Sequence, residues 1–337
     1  MSHHENSLSE SKKTTSFETV DLVRILASFM VVFFHVRLPL GYYAYFKPIC
    51  RMAVPFFFMV GGFFLYSPSD DKKAALDRIR KALVKIGTTT LFWLLIYAIF
   101  RSVQYHLDHH HPLFWLYFPM NKKLVFEILV YNRSALLAPI FWYLYAYLYV
   151  LLICWLLVRF DKIKLSYFLI PILLITSLIL GAFVIKKWYY QGNWLFTGLP
   201  FVLAGRFLHE HLESFKKIPR ALLWIMIPVG GALTVLESLR HTEQILYIGL
   251  LPLLFGIFVL AVTSEKKWPK PLTRFGRKGT LFTYTTHCLI ADTIFFLTGQ
   301  WEGWKARALP FLVFALSVPV AIVLMHLRRS PKPKEKV

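Results

Sequence analysis

An arginine and a histidine in the first apolar run are the residues whose type and spacing point most directly to chemistry. Arg24 and His35 lie eleven positions apart within residues 20–37, which are otherwise mostly apolar. An ionisable side chain inside hydrocarbon costs free energy, so each one is a candidate for a functional site. At about 100° and about 1.5 Å per residue, the two side chains project from one helix face, about 16 Å apart.

The two side chains have complementary chemistry. A neutral imidazole accepts a proton near pH 7, and a guanidinium binds a phosphate or a developing oxyanion. Asp21 precedes Arg24 by three positions and can hold its guanidinium through an i,i+3 contact. The pattern predicts one shared cavity, with the cation near the cytoplasm and the imidazole towards the outside. The alternative is that Arg24 reaches the headgroups and His35 caps the helix at the outer interface.

The composition places these residues in a membrane protein. Hydrophobic residues make up 57% of the 337 positions, Phe occurs 31 times, and the mean hydropathy is +0.53. A soluble domain needs a polar shell, whereas a membrane span needs roughly 20 mostly apolar residues. The sequence therefore predicts an all-α integral membrane protein, a bundle of about ten transmembrane helices. The apolar runs are residues 20–37, 50–66, 83–103, 136–158, 165–185, 194–209, 221–237, 244–263, 279–298 and 308–327.

Basic residues in the connections predict the orientation. With the N-terminus in the cytoplasm, most of the 39 Lys and Arg residues fall on the cytoplasmic side, including six in residues 67–85 and six in residues 264–278. Both termini are therefore expected in the cytoplasm. A polar tail without fixed structure, residues 1–16, and a basic tail, residues 328–337, flank a membrane domain over residues 17–327. This topology explains the net charge of +21 without a nucleic-acid partner, and the lipid bilayer is the expected partner.

Neither the cysteines nor the histidines predict a metal site. The three cysteines are far apart and form no C-x-x-C motif. The longest connection, about residues 104–135, is expected outside the membrane and contains four histidines and an aspartate: His106, Asp108, His109, His110 and His111. Such a cluster could bind a metal, but adjacent histidines seldom share one tetrahedral ion, so a solvated loop is favoured. No metal is predicted.

Five segments form an ordered set of motifs. The first is the pair Arg24 and His35, which have ten residues between them. The others are RMAVPFFFMVGGFFL from Arg51 to Leu65, DRIRK from Asp77 to Lys81, FWYL from Phe141 to Leu144, and YTTH from Tyr284 to His287. In this order and topology they resemble the membrane-bound acyltransferase 3 family, over roughly residues 17–327. The chain departs from the family pattern in having Gly61 where Ser is usual and no Pro after the basic segment. Tyr147 stands where some branches have Glu, so an acidic catalytic partner is not implied there.

The resemblance implies an acyl-transfer reaction across the membrane. The donor substrate would be cytoplasmic acyl-coenzyme A, usually acetyl-coenzyme A, and the product an ester on a hydroxyl of the acceptor. The acceptor would be an extracytoplasmic or membrane-linked saccharide, or a glycolipid. The location implied is the bacterial inner membrane, with many spans. A homo-oligomer is left open.

The resemblance also gives roles to particular residues. His35 is the candidate base, and Arg24 is the candidate cation for the donor's phosphates or the developing oxyanion. Three basic residues suit the coenzyme's phosphates, although positive-inside topology alone explains basic residues there: Arg78, Arg80 and Lys81.

The acceptor side has three candidates. Trp142 and Tyr143 are candidate substrate-binding residues. His287 either orients a substrate or is a hydrogen-bonded packing histidine, and the second interpretation is favoured. Asp292 lies five positions on, about 140° round the helix, so it is not expected to share a face closely with His287.

Two other functions compete with acyl transfer. A polysaccharide or glycolipid exporter would move its substrate without acyl-coenzyme A. Transporters often contain inverted repeats, and the sequence has no evident repeat, which weakens this alternative. A non-catalytic assembly partner would tolerate the loss of both Arg24 and His35.

Overall fold

The computed structural model describes residues 17–36, 42–68, 71–109, 122–132, 137–184, 188–240, 244–299 and 301–327. Every regular element within these ranges is helical. The two predicted tails, residues 1–16 and 328–337, lie outside the described residues.

Fourteen α-helices follow one another along the described parts of the chain. The first half of the chain forms α1 (Glu18–His35), α2 (Tyr42–Cys50), α3 (Ala53–Leu65), α4 (Lys72–His109), α5 (Lys122–Tyr131), α6 (Phe141–Arg159) and α7 (Leu169–Ile179). The second half forms α8 (Leu199–Glu210), α9 (Leu212–Phe215), α10 (Arg220–Arg240), α11 (Leu250–Val262), α12 (Lys270–Lys278), α13 (Thr280–Thr298) and α14 (Gly303–Leu327). Short 3-10 and π-helical turns flank α7 and precede α8.

The predicted apolar runs all coincide with helical segments. Within the described residues, seven helices are long and apolar enough to cross a membrane: Tyr43–Leu65, Lys72–Leu107, Phe141–Arg159, Leu165–Phe183, Arg220–Arg240, Thr280–Thr298 and Gly303–Leu327. The protein is therefore an all-helical chain with several membrane-spanning helices. The remaining predicted spans are α1, which carries three charged residues, and the shorter helices α8 and α11. The total of ten spans and the cytoplasmic termini stay predictions.

The predicted outer connection, about residues 104–135, contains helical segments. Helix α4 continues to His109, and α5 occupies Lys122–Tyr131. Directly after α5, the side-chain oxygen of Asn132 accepts a hydrogen bond from the backbone N–H of Trp194, at 3.0 Å. This contact ties the end of α5 to the segment that leads into α8, so the connection is anchored to the bundle. His110 and His111 lie outside the described residues.

Helix α1 runs through the interior of the bundle. It contacts α2, α3, α11, α12, α13 and α14. Its apolar residues Val20, Ala27 and Val32 are fully buried. A helix surrounded in this way presents its polar side chains to other helices rather than to lipid, so Arg24 and His35 are placed inside the protein.

Close backbone approach fixes α3 against α8. A Cβ atom added to Gly62 would lie 1.9 Å from the carbonyl oxygen of Val202, and one added to Gly205 would lie 1.9 Å from that of Met59. Small residues allow membrane helices to approach closely, where packing is a main attractive force. The glycine-rich part of the RMAVPFFFMVGGFFL segment is therefore a helix-packing surface.

Candidate active site

A buried carboxylate fixes two guanidinium groups at the start of α1. Asp21 is 2% exposed, and its Oδ1 accepts a hydrogen bond from Nη1 of Arg24 at 2.6 Å. Its Oδ2 accepts from Nε and Nη2 of Arg277 at 3.1 and 2.8 Å. The predicted i,i+3 contact between Asp21 and Arg24 is confirmed. Charge-assisted hydrogen bonds of this kind hold both guanidinium planes in defined positions.

Helix α12 reaches Asp21 because Gly276 has no side chain. A Cβ atom there would lie 2.0 Å from the carbonyl oxygen of Asp21. The glycine lets α12 pack directly on the first turn of α1, and this places the next residue, Arg277, on the carboxylate. No local sequence signal predicts this contact, since it depends on the packing of two helices far apart in the chain.

A matched pair of glycine substitutions tests this packing. We expect Gly276→Ala to lower the midpoint of thermal unfolding in detergent, because overpacking of this kind costs about 1–3 kcal/mol. Gly231→Ala in α10 is the control, because a Cβ atom there meets nothing within 4 Å. An unchanged midpoint for Gly276→Ala would contradict the close approach of α12 to α1.

Arg24 lines a cavity of about 280 Å³, here called the arginine cavity. Its guanidinium lies 5.0 Å from the ring centroid of Phe64, and its side chain is 13% exposed. Four basic side chains line the cavity: Arg24, Arg78, Lys85 and Arg277. Its aromatic lining comprises Phe57, Phe64, Tyr143, Tyr147 and Tyr284. The cavity therefore combines concentrated positive charge with flat apolar surfaces.

Only one of the three predicted phosphate-binding residues lies on this cavity. Arg78 lines it, whereas Arg80 and Lys81 are exposed and do not. The reason is helical geometry: Arg80 and Lys81 are about 200° and 300° round the helix from Arg78, whereas Lys85, seven positions on, returns to the same face. The assignment of Arg80 and Lys81 to the site is therefore not supported, and Lys85 is a residue that the helical period could have identified.

His35 lines a second cavity, of about 300 Å³, here called the histidine cavity. Its lining residues are Val31, Phe34, His35, Tyr43, Lys47, Cys50, Arg51, Val54, Pro55, Pro139, Trp142, Trp188, Thr197 and Ile245. Trp142, one of the predicted acceptor-binding residues, is 8% exposed and lies on this cavity. Its neighbour in sequence, Tyr143, lines the arginine cavity instead.

The structure brings His35 against His287. The two ring centroids are 5.3 Å apart, and the planes are tilted by 42°. His287 is fully buried on α13; its Nδ1 lies 3.3 Å from the carbonyl oxygen of Thr283, and its Nε2 lies 3.3 Å from Sγ of Cys288. His287 is thus a packed, hydrogen-bonded residue that also contacts the candidate base. Sequence reasoning did not pair the two histidines, which are on helices distant in the chain.

The prediction of one shared cavity is wrong. The two cavities have no lining residue in common among the described residues. Tyr284 lines the arginine cavity, and its ring lies 5.3 Å from that of Tyr143 and 6.0 Å from that of His287. Its hydroxyl donates to the carbonyl oxygen of Ile140 at 2.6 Å. Tyr143 and Tyr284, here called the aromatic layer, therefore lie between the arginine cavity and the histidine pair.

An ion pair links two long helices, α4 and α13. Nη2 of Arg101 on α4 lies 2.7 Å from Oδ2 of Asp292 on α13. Nε of Arg101 donates to the carbonyl oxygen of Leu137, just before α6, at 3.1 Å. Asp292 thus faces α4 rather than His287, as its position round the helix predicted. Arg101 thus links α13, which carries His287, to the segment just before α6, which carries Trp142.

Possible metal-ligating side chains do not cluster within the described residues. No group of three His, Cys, Asp or Glu side chains there is arranged to hold an ion. The predicted absence of a metal remains a prediction.

Comparison with known proteins gives two matches. A family model described as an acyltransferase domain matches residues 17–326, nearly the whole chain. An amino-acid racemase of Enterococcus faecalis is 23% identical over 282 residues, which cover 76% of this chain. The match covers 37% of the racemase, so this chain spans much less than that relative's full length. No solved structure matches.

Proposed function

This chain belongs to the acyltransferase 3 family, and we propose that it is a membrane acyltransferase that esterifies a saccharide. In this proposal, an acyl group, acetyl in the simplest case, passes from cytoplasmic acyl-coenzyme A to a hydroxyl of an extracytoplasmic or membrane-linked saccharide. The observation that carries the proposal is the position of His35, which lines the histidine cavity and lies against His287. The arginine cavity, on the other side of the aromatic layer, supplies a site for the donor.

The donor's phosphates fit the arginine cavity. Coenzyme A carries a diphosphate and a further phosphate, and guanidinium groups bind such oxygens in bidentate geometry. Arg24, Arg78, Lys85 and Arg277 supply four positive charges there. Because Arg24 and His35 are about 16 Å apart along α1, Arg24 is assigned to the donor's phosphates rather than to the developing oxyanion.

The acyl group must then pass the aromatic layer. The thioester of coenzyme A lies at the end of a long flexible arm, so the phosphates can stay in the arginine cavity while the thioester approaches the histidines. This requires movement of side chains such as Tyr143 and Tyr284, which separate the two cavities. Side-chain and loop movements commonly gate enzyme sites in this way.

The proposed chemical step exchanges one bond for another. The acceptor's hydroxyl oxygen attacks the thioester carbonyl carbon, and His35 takes the hydroxyl proton. The C–O ester bond forms as the C–S bond breaks, and the coenzyme thiolate leaves and takes the proton from the imidazolium. Neutral His35 is regenerated, and general-base catalysis of this kind contributes typically about 10²–10⁴-fold to the rate.

The basic residues of α4 test the donor site. We expect Arg78→Gln to raise KM for acetyl-coenzyme A about tenfold, because a charge-assisted hydrogen bond contributes about 1.5 kcal/mol or more. Arg80→Gln is the matched control: it removes the same charge from the same helix but lies off the cavity. Equal increases of KM in both variants would contradict the proposal that Arg78 binds the donor's phosphates in the arginine cavity.

Label transfer tests the proposal as a whole. Purified protein in nanodiscs is incubated with radiolabelled acetyl-coenzyme A and bacterial envelope saccharide extracts, and thiol release is measured in parallel. We expect label on saccharide and one thiol released for each acyl group transferred. An exporter would be supported by a different pair of results: no extract becomes labelled, and the saccharide crosses vesicle membranes in the absence of acetyl-coenzyme A.

The racemase likeness does not change this assignment. At 23% identity over part of a longer protein, it supplies no substrate for this chain. Acyl transfer remains the reaction for which the described cavities have candidate groups.

A further inference from the structure

A tyrosine of α6 lines the arginine cavity and has no role in the proposed function so far. Tyr147 is 9% exposed and lies on this cavity. Its ring stacks on that of Tyr143, with centroids 6.0 Å apart and planes inclined by 18°, and it meets the ring of Phe58 edge to face at 6.0 Å. Aromatic neighbours therefore hold the ring in place, whereas its hydroxyl makes no hydrogen bond with the described residues.

A glycine of α3 leaves the space that this hydroxyl occupies. A Cβ atom added to Gly61 would lie 2.5 Å from the hydroxyl oxygen of Tyr147 and 2.8 Å from Cζ. Gly61 also lines the arginine cavity. These are two of the positions at which the chain departs from the family pattern, Gly61 in place of Ser and Tyr147 in place of the Glu of some branches. The structure puts them side by side, so a larger side chain on α6 fills the room left by a smaller one on α3.

The position of Tyr147 lies on the route that the donor's arm must take. The side chain is close to Arg24, one of the four cations assigned to the phosphates, and it stacks on Tyr143 of the aromatic layer. In the proposed function, the phosphates stay with the cations while the thioester passes the aromatic layer. The part of the donor that joins the two therefore passes the Tyr147 hydroxyl.

The chemistry of that connecting part calls for a hydrogen-bonding partner. The arm of coenzyme A carries two amide groups between its diphosphate and its thioester. An amide that is buried without a hydrogen bond costs free energy, and the wall that α3 gives to the cavity is apolar, with Phe57, Val60 and Phe64. A tyrosine hydroxyl can donate to an amide carbonyl oxygen or accept from an amide N–H. Tyr147 thus supplies what this wall lacks.

We propose that the Tyr147 hydroxyl binds an amide group of the donor's arm and so directs the thioester towards the histidines. This inference rests on the proposed function and specifies the class of donor, a thioester on an amide-bearing arm. A site that hydrogen-bonds its substrate rejects analogues without the bonding group. Recognition of the phosphates and recognition of the arm are then separate properties of one cavity.

Equilibrium binding separates the arm from the phosphates. Nanodisc-embedded protein is titrated with tritiated coenzyme A, and the competitor is adenosine 3′,5′-bisphosphate, which carries phosphates but no arm. We expect Tyr147→Phe to weaken coenzyme A binding about tenfold, because a buried amide loses its partner. The same variant should bind the bisphosphate as the wild-type protein does. A general loss of structure would weaken both ligands.

Two further variants make the test specific to this hydroxyl. Tyr149→Phe is the matched control: it removes a hydroxyl from the same helix, about 200° round from Tyr147 and off the cavity lining. Gly61→Ala keeps the hydroxyl but pushes it aside, because the added methyl group takes its space. We expect Gly61→Ala to weaken coenzyme A binding as Tyr147→Phe does. The double variant should lose little more, since both changes act on one hydrogen bond. Should Tyr147→Phe not give a monodisperse protein, Gly61→Ala carries the test.

The outcomes separate this inference from the proposed function. Wild-type affinity of Tyr147→Phe for coenzyme A would overturn the inference and leave acyl transfer intact. Equal weakening of coenzyme A and the bisphosphate would also overturn it, because the hydroxyl would then not act on the arm. No binding of coenzyme A by the wild-type protein would count against the donor in the proposed function, and the inference would fall with it.

Discussion

Replacing His35 by alanine is expected to lower kcat for acyl transfer by about 10²–10⁴-fold, the usual contribution of a general base. The variant should still fold, because His35 lines a cavity and makes no hydrogen bond or ion pair with the other described residues. The same purified protein should bind acetyl-coenzyme A with little change, since the donor's phosphates are assigned to the other cavity. Label transfer and donor binding are measured on one preparation.

A second histidine provides the control for that substitution. His326 is exposed near the end of α14, where its Nδ1 contacts the carbonyl oxygen of Ile322. His326→Ala should transfer label at the wild-type rate. Loss of transfer in both variants would point to a general effect of histidine removal, and full activity of His35→Ala would remove His35 from the mechanism.

Replacing Arg24 by glutamine is expected to lower kcat/KM for acetyl-coenzyme A by about 10²-fold. A hydrogen bond to a charged group contributes about 1.5–3 kcal/mol, and the substitution removes a guanidinium that Asp21 holds in place. The loss should appear mainly in KM, because Arg24 is assigned to binding the donor's phosphates. Arg24→Lys should recover only part of it, since an ammonium lacks the planar fork.

The control for Arg24 lies on α12. Arg274 is exposed and does not line the arginine cavity, although its helix also carries Arg277. Arg274→Gln should leave KM for acetyl-coenzyme A unchanged. A fall in kcat alone for Arg24→Gln, with KM unaltered, would move Arg24 from donor binding to stabilisation of the transition state.

The sequence predicted the helical architecture well because hydrocarbon imposes strict requirements on it. Each span needs a long apolar run with internally satisfied backbone groups, and each predicted run coincides with a helical segment. The contact between Asp21 and Arg24 was predictable for a similar reason, since i,i+3 neighbours on a helix meet regardless of the rest of the fold.

Contacts between helices were not predictable in the same way. The approach of His35 to His287, and of Arg277 to Asp21, depends on how α13 and α12 pack on α1. Periodicity within one helix carries no information about that packing. The separation into two cavities also results from packing, because it depends on where Tyr143 and Tyr284 fill space.

Arg80 and Lys81 belong to the same basic motif as Arg78 but lie on other faces of α4. The cavity instead selects Arg78 and Lys85, which share a face of α4.

The sidedness of transfer tests the central claim most directly. Envelope saccharides are sealed inside proteoliposomes that contain the protein, and radiolabelled acetyl-coenzyme A is added only to the outside. The separate donor and acceptor cavities predict that the enclosed saccharide becomes labelled. The Arg78→Gln variant should need more acetyl-coenzyme A to reach the same rate. If the enclosed saccharide stayed unlabelled, and label appeared only after detergent opened the vesicles, the result would contradict transfer through the protein from the arginine cavity to His35.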